Sequence, residues 1–250
     1  MDTKPLLKGK PAELHVLDFG LFKVHVNGRV IGICGFLIRT DAGEAVLIDT
    51  GFPAKYANDV AKASTEDKLG AFGEVLHLTH DNLPAAQLAK SGTTQIDLLI
   101  MTHTHIDHVG GIADFPGVPI VIAQAERALD RPSYWAGQHP IDWPEAEYIE
   151  LTQDTEIAPN LRLLLTPGHA PGQLAIELEL PQTGPVLLTS DAISRPSEID
   201  EKFAGSWDEA QAIHHADRIM ARADQRGAFT IFGHCPRQWT HLRKTPAFYG

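Results

Sequence analysis

Three histidines and an aspartate lie within six residues in the stretch HTHIDHVGG, residues 103–111. The stretch follows the apolar run LLIM, which predicts a strand ending just before it. Alternate side chains of an extended chain point to the same side, so His103 and His105 can share one metal ion. A turn would then bring Asp107 and His108 toward a second ion, and the two glycines that follow permit such a turn. Neutral imidazoles and carboxylates are ligands that suit zinc.

Each of the 13 histidines, taken alone, is explained more simply as a surface or hydrogen-bonded residue. The metal-site interpretation therefore depends on further donors, because two ions need six or seven. Three other apolar runs supply them: His169 follows LRLLLT, Asp191 follows PVLLTS, and His234 follows AFTIF. Each donor comes directly after a predicted strand, where a fold can bring side chains together at one edge. The pattern predicts a two-metal site built at strand ends.

Short β-rich segments recur along the chain, and helical patterns lie between them. Several are continuous apolar runs, which are typical of strands covered on both faces. The clearest helical pattern spans 208–224, where Ile213 and Ile219 belong to an apolar stripe, and Pro84 suits the start of another helix. We expect an α/β chain with packed sheets and outer helices, forming one domain over residues 1–250. The predicted strands are AELHVLD, LFKVHV, RVIGICGFLIRT, AVLID, IDLLIM, PIVIA, LRLLLT, QLAIELEL, PVLLTS and AFTIF.

The charge of the chain narrows the class of partner. There are 21 Lys and Arg against 32 Asp and Glu, a formal net charge of -11. Nucleic acids and anionic membranes need a basic surface, so we expect neither as a partner, and a small-molecule substrate is favoured. No run approaches the roughly 20 apolar residues of a membrane span, and the first residues lack the apolar region of a signal peptide. We therefore expect a cytoplasmic protein. Cys34 and Cys235 are too few for a disulfide framework.

The motifs occur in a recognisable order along the chain. HTHIDH with GG is followed by TPGH, then SD, then GH, and LIDTG at 47–51 precedes them all. This set resembles the metallo-β-lactamase superfamily over nearly the whole chain. The resemblance implies an αββα sandwich, in which two mixed sheets pack face to face with helices outside. It also implies two Zn²⁺ ions, or other divalent metals in their place.

The resemblance assigns a role to each donor. The first zinc would be held by His103, His105 and His169, and the second by Asp107, His108 and His234. Asp191 would bridge the two ions. Asp49 would orient a ligand or the turn that contains it, and an ordinary turn-capping role is compatible with the same residue.

The predicted chemistry follows from the metals. Two ions about 3.5 to 4 Å apart can share a hydroxide whose pKa is near neutrality, and one ion can polarise a substrate carbonyl. Asp107 and Asp191 are the predicted catalytic carboxylates. Asp107 would orient the attacking hydroxide and pass its proton to the leaving group. This scheme describes hydrolysis of an ester, lactone, thioester, amide or phosphoester.

Within the superfamily the chain most resembles the N-acyl homoserine lactone lactonases, in its length and in stretches such as PVLLTSDA and EKFAGSWDEA. This implies opening of a lactone ring, an activity of the quorum-quenching type. Ser194 stands where those lactonases commonly carry a tyrosine that hydrogen-bonds the substrate, and Ile106 stands where an aromatic residue is frequent. These departures leave open another lactone, as in the 4-pyridoxolactonase type, or an ester or thioester of a catabolic pathway.

Several side chains fall in segments that could overhang the metal edge and form a substrate pocket, although each aromatic among them could equally be ordinary core. The segment 64–82 is long, polar and glycine-containing, so we expect a mobile lid or a dimer arm, and a homodimer is compatible with the resemblance. The predicted pocket residues are Phe52, Ile106, Ser194, Phe203 and Trp207, with Phe72, Trp135 and Trp143 as further aromatics.

Other functions of the superfamily fit the sequence less well. A glyoxalase-type thioesterase carries a further C-terminal segment, a true β-lactamase usually has a cysteine where Asp191 stands, and an RNA-processing nuclease needs a basic surface. Oxygen-reducing members carry a flavin domain. From a different class, the chain could be an inactive metal-binding regulatory protein. The complete set of ligands argues against that alternative.

Overall fold

The computed structural model describes residues 5–135 and 137–250. The first sheet has seven strands in the order β4-β1-β2-β3-β5-β6-β7. Its first members pair antiparallel, whereas β3, β5, β6 and β7 run parallel to one another. The strands are β1 (Pro11–Val24), β2 (Val30–Thr40), β3 (Ala45–Ile48), β4 (Gly73–His77), β5 (Leu98–Ile100), β6 (Ile120–Ala123) and β7 (Tyr148–Leu151).

The second sheet has five strands in the order β12-β11-β10-β9-β8. Its pairs are antiparallel except for β11 and β12, which run parallel. Both sheets are therefore mixed. The strands are β8 (Thr155–Ala158), β9 (Leu161–Leu165), β10 (Leu174–Leu180), β11 (Gly184–Leu188) and β12 (Phe229–Ile231).

Helices cover the outer faces of both sheets. The longest begins after Asp208, whose side chain accepts a hydrogen bond from the Gln211 N–H, and it ends at Gly227 in the left-handed conformation. Pro84 opens another helix, as predicted. The helices are α1 (Lys55–Asn58), α2 (Val60–Glu66), α3 (Pro84–Lys90), α4 (Ile106–Val109), α5 (Gln124–Arg127), α6 (Ser197–Asp200), α7 (Glu209–Arg226) and α8 (Pro236–Trp239).

Among the described residues, three buried apolar clusters hold the layers together. The central cluster lies between the sheets and joins β1, β2 and β3 to β9, β10 and β11. A second lies on the outer face of the first sheet, under α1 to α3, and a third packs α7 on the second sheet. Burial of this apolar surface is the main force that fixes the layer order. The predicted αββα architecture is confirmed.

The structure differs from the sequence-based prediction in its strands. AELHVLD and LFKVHV form one long strand, β1, with an irregular register between Asp18 and Leu21. Strands β4, β7 and β8 were not predicted, because they are short and half exposed and lack an apolar run. Segment 64–82 is not one irregular loop, since it includes β4, which pairs with β1. Along the described ranges 5–135 and 137–250, no helix is long and apolar enough to cross a membrane.

Candidate metal centre

The structure brings the seven predicted ligands together at one end of the two sheets. Their donor atoms form three overlapping groups, and within each group all atoms lie within 4.8 Å of one another. We call these seven side chains the ligand cluster. Its members are His103, His105, Asp107, His108, His169, Asp191 and His234.

Three histidines form one half of the ligand cluster. His103 Nε2 lies 3.1 Å from His105 Nδ1, which in turn lies 2.9 Å from His169 Nε2. The first two histidines follow β5, and the third follows β9 on the other sheet. Each neutral ring carries only one N–H, so three ring nitrogens aimed at a common point suit a cation better than one another.

Two histidines and a carboxylate form the other half. His234 Nε2 lies 3.3 Å and His108 Nε2 lies 3.7 Å from the same oxygen of Asp107. Asp191 lies between the halves. Its Oδ2 is 3.4 Å from His169 Nε2, whereas its Oδ1 is 3.1 Å from His234 Nε2 and 3.6 Å from His108 Nε2. One carboxylate thus presents a different oxygen to each half.

The ligand cluster fits a pair of divalent cations on its own chemistry. His108 Nε2, His234 Nε2 and Asp191 Oδ1 are buried, and none makes a hydrogen bond of acceptable geometry within the described chain. Buried polar atoms without partners are costly, so such convergence normally accompanies a ligand. Imidazole nitrogens and carboxylate oxygens are the donors that zinc and similar metals accept.

Buried hydrogen bonds fix which ring nitrogen faces the centre. His108 Nδ1 donates to Asp49 Oδ2 at 2.8 Å, and His234 Nδ1 donates to the Gly32 carbonyl at 3.0 Å. Asp49 also accepts from the backbone N–H and the hydroxyl of Thr102, both at 2.8 Å. Both rings therefore turn Nε2 inward, and in the neutral form of each ring this nitrogen carries the lone pair that can bind a cation. Asp49 thus has the orienting contacts that the resemblance implied.

One further group, the carboxylate of Glu126, holds the loops that carry the ligands. The fully buried carboxylate of Glu126 accepts from the N–H and hydroxyl of Thr104, between His103 and His105, and from the N–H of Gly172 near His169. It ties the two sheets' ligand loops together. Sequence reasoning missed it, because nothing local distinguishes it from an exposed acidic residue at a helix start.

The glycine after His108 allows a close approach to the turn that contains Asp49. Gly110 N donates to the Gly51 carbonyl at 2.8 Å. A Cβ at Gly110 would lie 2.2 Å from Pro53 N, so no larger residue fits without displacing backbone. The two motifs, LIDTG and HTHIDHVGG, are therefore one packed unit.

Burial and neighbouring charges divide the histidines into two classes. Burial, reinforced by neighbouring histidines, lowers the pKa of His103 well below its usual range and lowers the pKa of His169 to about 4. Burial opposes protonation at His108 as well, but Asp107, Asp49 and Asp191 raise its pKa to about 10. Cations would replace the proton charge that these carboxylates otherwise attract.

A cavity of about 500 Å³ opens beside the ligand cluster. Four of the predicted pocket residues line it, namely Phe52, Ile106, Ser194 and Trp207. Phe72 and Trp135 line it too, together with Phe22, which was not predicted. Phe22 stacks at 5.7 Å between centroids on both Phe52 and Phe72. We call the lining side chains outside the ligand cluster the cavity wall. It has an aromatic side formed by Phe22, Phe52, Phe72, Trp135 and Trp207 and a polar side formed by Arg29, Ser194 and Glu198.

Two predicted aromatics lie elsewhere. Phe203 does not line the cavity, because it is buried in the cluster that packs α7 on the second sheet. Trp143 packs edge-on against Tyr148 and beneath Arg127. Phe203 and Trp143 differ from the prediction for the same reason. An aromatic side chain near a loop packs against whichever neighbouring helix or strand offers apolar contact, and the sequence does not show which one that is.

A protein-family model of the metallo-beta-lactamase superfamily matches residues 35–234. The chain belongs to the metallo-β-lactamase superfamily. The match spans the LIDTG turn and every member of the ligand cluster. The family predicted from the motifs is therefore confirmed.

Proteins similar to this chain include N-acyl homoserine lactonases. The chain is 32% identical over 212 residues to an N-acyl homoserine lactonase of a Bacillus species, covering 80% of this chain and 79% of the relative. It is 31% identical over 222 residues to the N-acyl homoserine lactonase of Bacillus thuringiensis, covering 85% of each. A solved N-acyl homoserine lactone hydrolase, with the product N-hexanoyl-L-homoserine at its catalytic metal centre, superposes with a TM-score of 0.81 at 25% identity, over 96% of this chain and all of that one.

Proposed function

We propose that the protein is a metal-dependent lactonase that opens the ring of N-acyl homoserine lactones. The observation that carries this proposal is a seven-donor cluster in two halves, joined by Asp191, beside an aromatic-walled cavity. The names of the relatives support the same substrate class.

Two Zn²⁺ ions are the proposed cofactors. His103, His105 and His169 would hold one, and Asp107, His108 and His234 would hold the other, with Asp191 between them. When bound, such a pair supplies Lewis acidity and makes water a nucleophile near neutral pH.

The proposed reaction is addition of water across the ring ester. The oxygen of water bonds to the lactone carbonyl carbon, the ring C–O bond breaks, and the ring oxygen leaves as a hydroxyl. One proton must travel from the water to that oxygen. Both carboxylates line the cavity, but Asp107 is partly exposed, whereas Asp191 is buried. Asp107 is therefore the proposed proton carrier, and Asp191 the carboxylate that keeps both halves of the ligand cluster in register.

The aromatic side of the cavity wall gives the acyl chain a place to bind. Phe22, Phe52 and Phe72 form a continuous stack, and Trp135 extends it at 6.2 Å from Phe72. Transfer of each methylene from water to such a surface contributes up to about 0.8 kcal/mol. Longer acyl chains should therefore bind more tightly until they reach the end of the wall.

The proposal is tested by proton release from the zinc-loaded protein. The panel consists of butanoyl, hexanoyl and decanoyl homoserine lactones, an aromatic lactone, a simple ester and a thioester. We expect rapid opening of the homoserine lactones and loss of both bound zinc and hydrolysis in His105→Ala. His214→Ala, an exposed histidine on α7, is the matched control and should keep both.

Two outcomes would contradict the proposal. A zinc-loaded protein that turns over only the ester, the thioester or the aromatic lactone would retain the metal site but lose the substrate assignment. Full activity in His105→Ala would overturn the site itself.

A further inference from the structure

Arg29 is a cation in the cavity wall to which neither the ligand cluster nor the proposed mechanism gives a role. It directly precedes β2, and both Arg29 and Ile31 line the cavity. Residues two apart in an extended chain face the same side, which accounts for their shared orientation. Gly32, one residue further, accepts the hydrogen bond from His234, so this end of β2 runs alongside the ligand cluster.

The Arg29 guanidinium has donors without acceptors. Nε and Nη1 are both buried, and neither has a hydrogen-bond partner in residues 5–135 and 137–250. Across the same ranges no carboxylate oxygen lies within 4.0 Å of a side-chain nitrogen of Arg29. The nearby Arg195 differs, because it forms ion pairs with Glu198 and Glu201. Arg29 as a residue is only partly buried, but buried N–H groups normally have acceptors, so these two can serve an acceptor from outside the chain.

We infer that Arg29 binds a second carbonyl oxygen of the substrate, one that is not attacked. Under the proposed function, on which this inference rests, that oxygen is the amide carbonyl next to the lactone ring. Arg29 is then a specificity-determining residue: it selects lactones that carry an acylamino group over lactones that carry only an alkyl chain.

The charges around Arg29 favour a neutral carbonyl over a carboxylate. Glu198 and Glu201 both lie within range to interact with the guanidinium charge, beside one other cation, Arg195. An added carboxylate would meet these two carboxylates, whereas a carbonyl oxygen accepts the hydrogen bond without adding charge.

Ser194 leaves room for such a donor. Its backbone is held on both sides, since the carbonyl accepts from His234 N at 2.8 Å and the N–H donates to Glu198 at 2.6 Å. Its short hydroxyl cannot move far from the backbone. The long arginine side chain, which carries five N–H groups, can reach an oxygen that the serine cannot.

The experiment compares two lactones of similar side-chain length. N-hexanoyl homoserine lactone has the amide carbonyl, and α-hexyl-γ-butyrolactone carries a hexyl chain at the same ring carbon without it. kcat and KM are measured for wild type, Arg29→Met, Arg29→Lys and a control, Arg131→Met, which removes an exposed arginine outside the cavity wall. For Arg29→Met we expect KM for the amide lactone to rise about tenfold, with kcat and the constants for the α-hexyl lactone within about twofold of wild type. Arg29→Lys should recover part of the loss, and Arg131→Met should match wild type.

The outcomes separate the two proposals. Equal changes for both lactones in Arg29→Met, or no change for either, would overturn the role of Arg29 while the lactonase activity stands. If the wild type opens neither lactone, the proposed function fails, and quenching of tryptophan fluorescence by N-hexanoyl homoserine lactone then tests Arg29. Binding that weakens about tenfold in Arg29→Met would support its role. Unchanged binding, or no binding to wild type, would overturn it.

Discussion

The ligand cluster and the cavity wall lie side by side but are held in different ways. In the cluster, Asp49, Glu126 and the Gly32 carbonyl fix ligands or their loops through buried hydrogen bonds. On the cavity wall, Trp207 is 59% exposed and Phe72 is 49% exposed. The side chains of the ligand cluster are therefore fixed in one arrangement by buried hydrogen bonds. Part of the cavity wall consists of half-exposed side chains without such bonds.

This difference separates reaction type from substrate choice. A metal pair needs donors placed within a few tenths of an ångström, and in this protein loops at strand ends, tied by buried hydrogen bonds, provide that placement. An acyl chain needs apolar area rather than exact geometry. Substitutions in the cluster should therefore affect metal content and kcat, and substitutions in the wall should affect mainly KM.

The largest effect is expected for Asp191→Asn. The amide keeps the shape of the side chain but replaces one oxygen with an NH₂ group that cannot coordinate a cation. Since the two oxygens of Asp191 face different halves of the cluster, we expect hydrolysis to fall to background and bound metal to drop from two ions toward one. Metal analysis and proton release check this. Asp217→Asn, an exposed position on α7, is the control, and an active Asp191→Asn with two ions would refute the bridging role.

An intermediate effect is expected for Asp49→Ala. The variant keeps every ligand but removes the acceptor that orients His108. Loss of such a partner typically lowers metal affinity or activity by about 10- to 100-fold. Competition with a chromophoric chelator measures the affinity, with the exposed Asp130→Ala for comparison. Unchanged metal affinity with a lower unfolding midpoint would show that Asp49 stabilises only the turn. The metal affinity of the ligand cluster would then not depend on the hydrogen bond between Asp49 and His108.

The smallest effect is expected for Trp207→Ala in the cavity wall. We expect KM for decanoyl homoserine lactone to rise about three- to tenfold, because apolar contact is lost, while KM for the butanoyl lactone and kcat for both stay near wild type. Phe248→Ala removes an aromatic that is also exposed but lies outside the wall, and it should change neither constant. A drop in kcat with unchanged KM would break the distinction between wall and cluster.

Much of the fold followed from apolar runs. LLIM, LRLLLT, PVLLTS and AFTIF all mark strands, and the helix predicted over 208–224 is α7. Strands such as β4 and β7 escaped prediction because edge and half-exposed strands carry little apolar periodicity. Their pairing depends on a neighbouring strand that is distant in the chain.

For the candidate site, sequence determined the kinds of donor and their positions after strands, since ligand chemistry is a property of the side chain itself. Tertiary structure alone decided which oxygen of Asp191 faces which half, that Glu126 is buried between two ligand loops, and that Phe203 packs on α7 instead of lining the cavity. It also left Arg29 beside the cavity without an acceptor. These properties depend on contacts between residues far apart in the chain, and local sequence carries no record of such contacts.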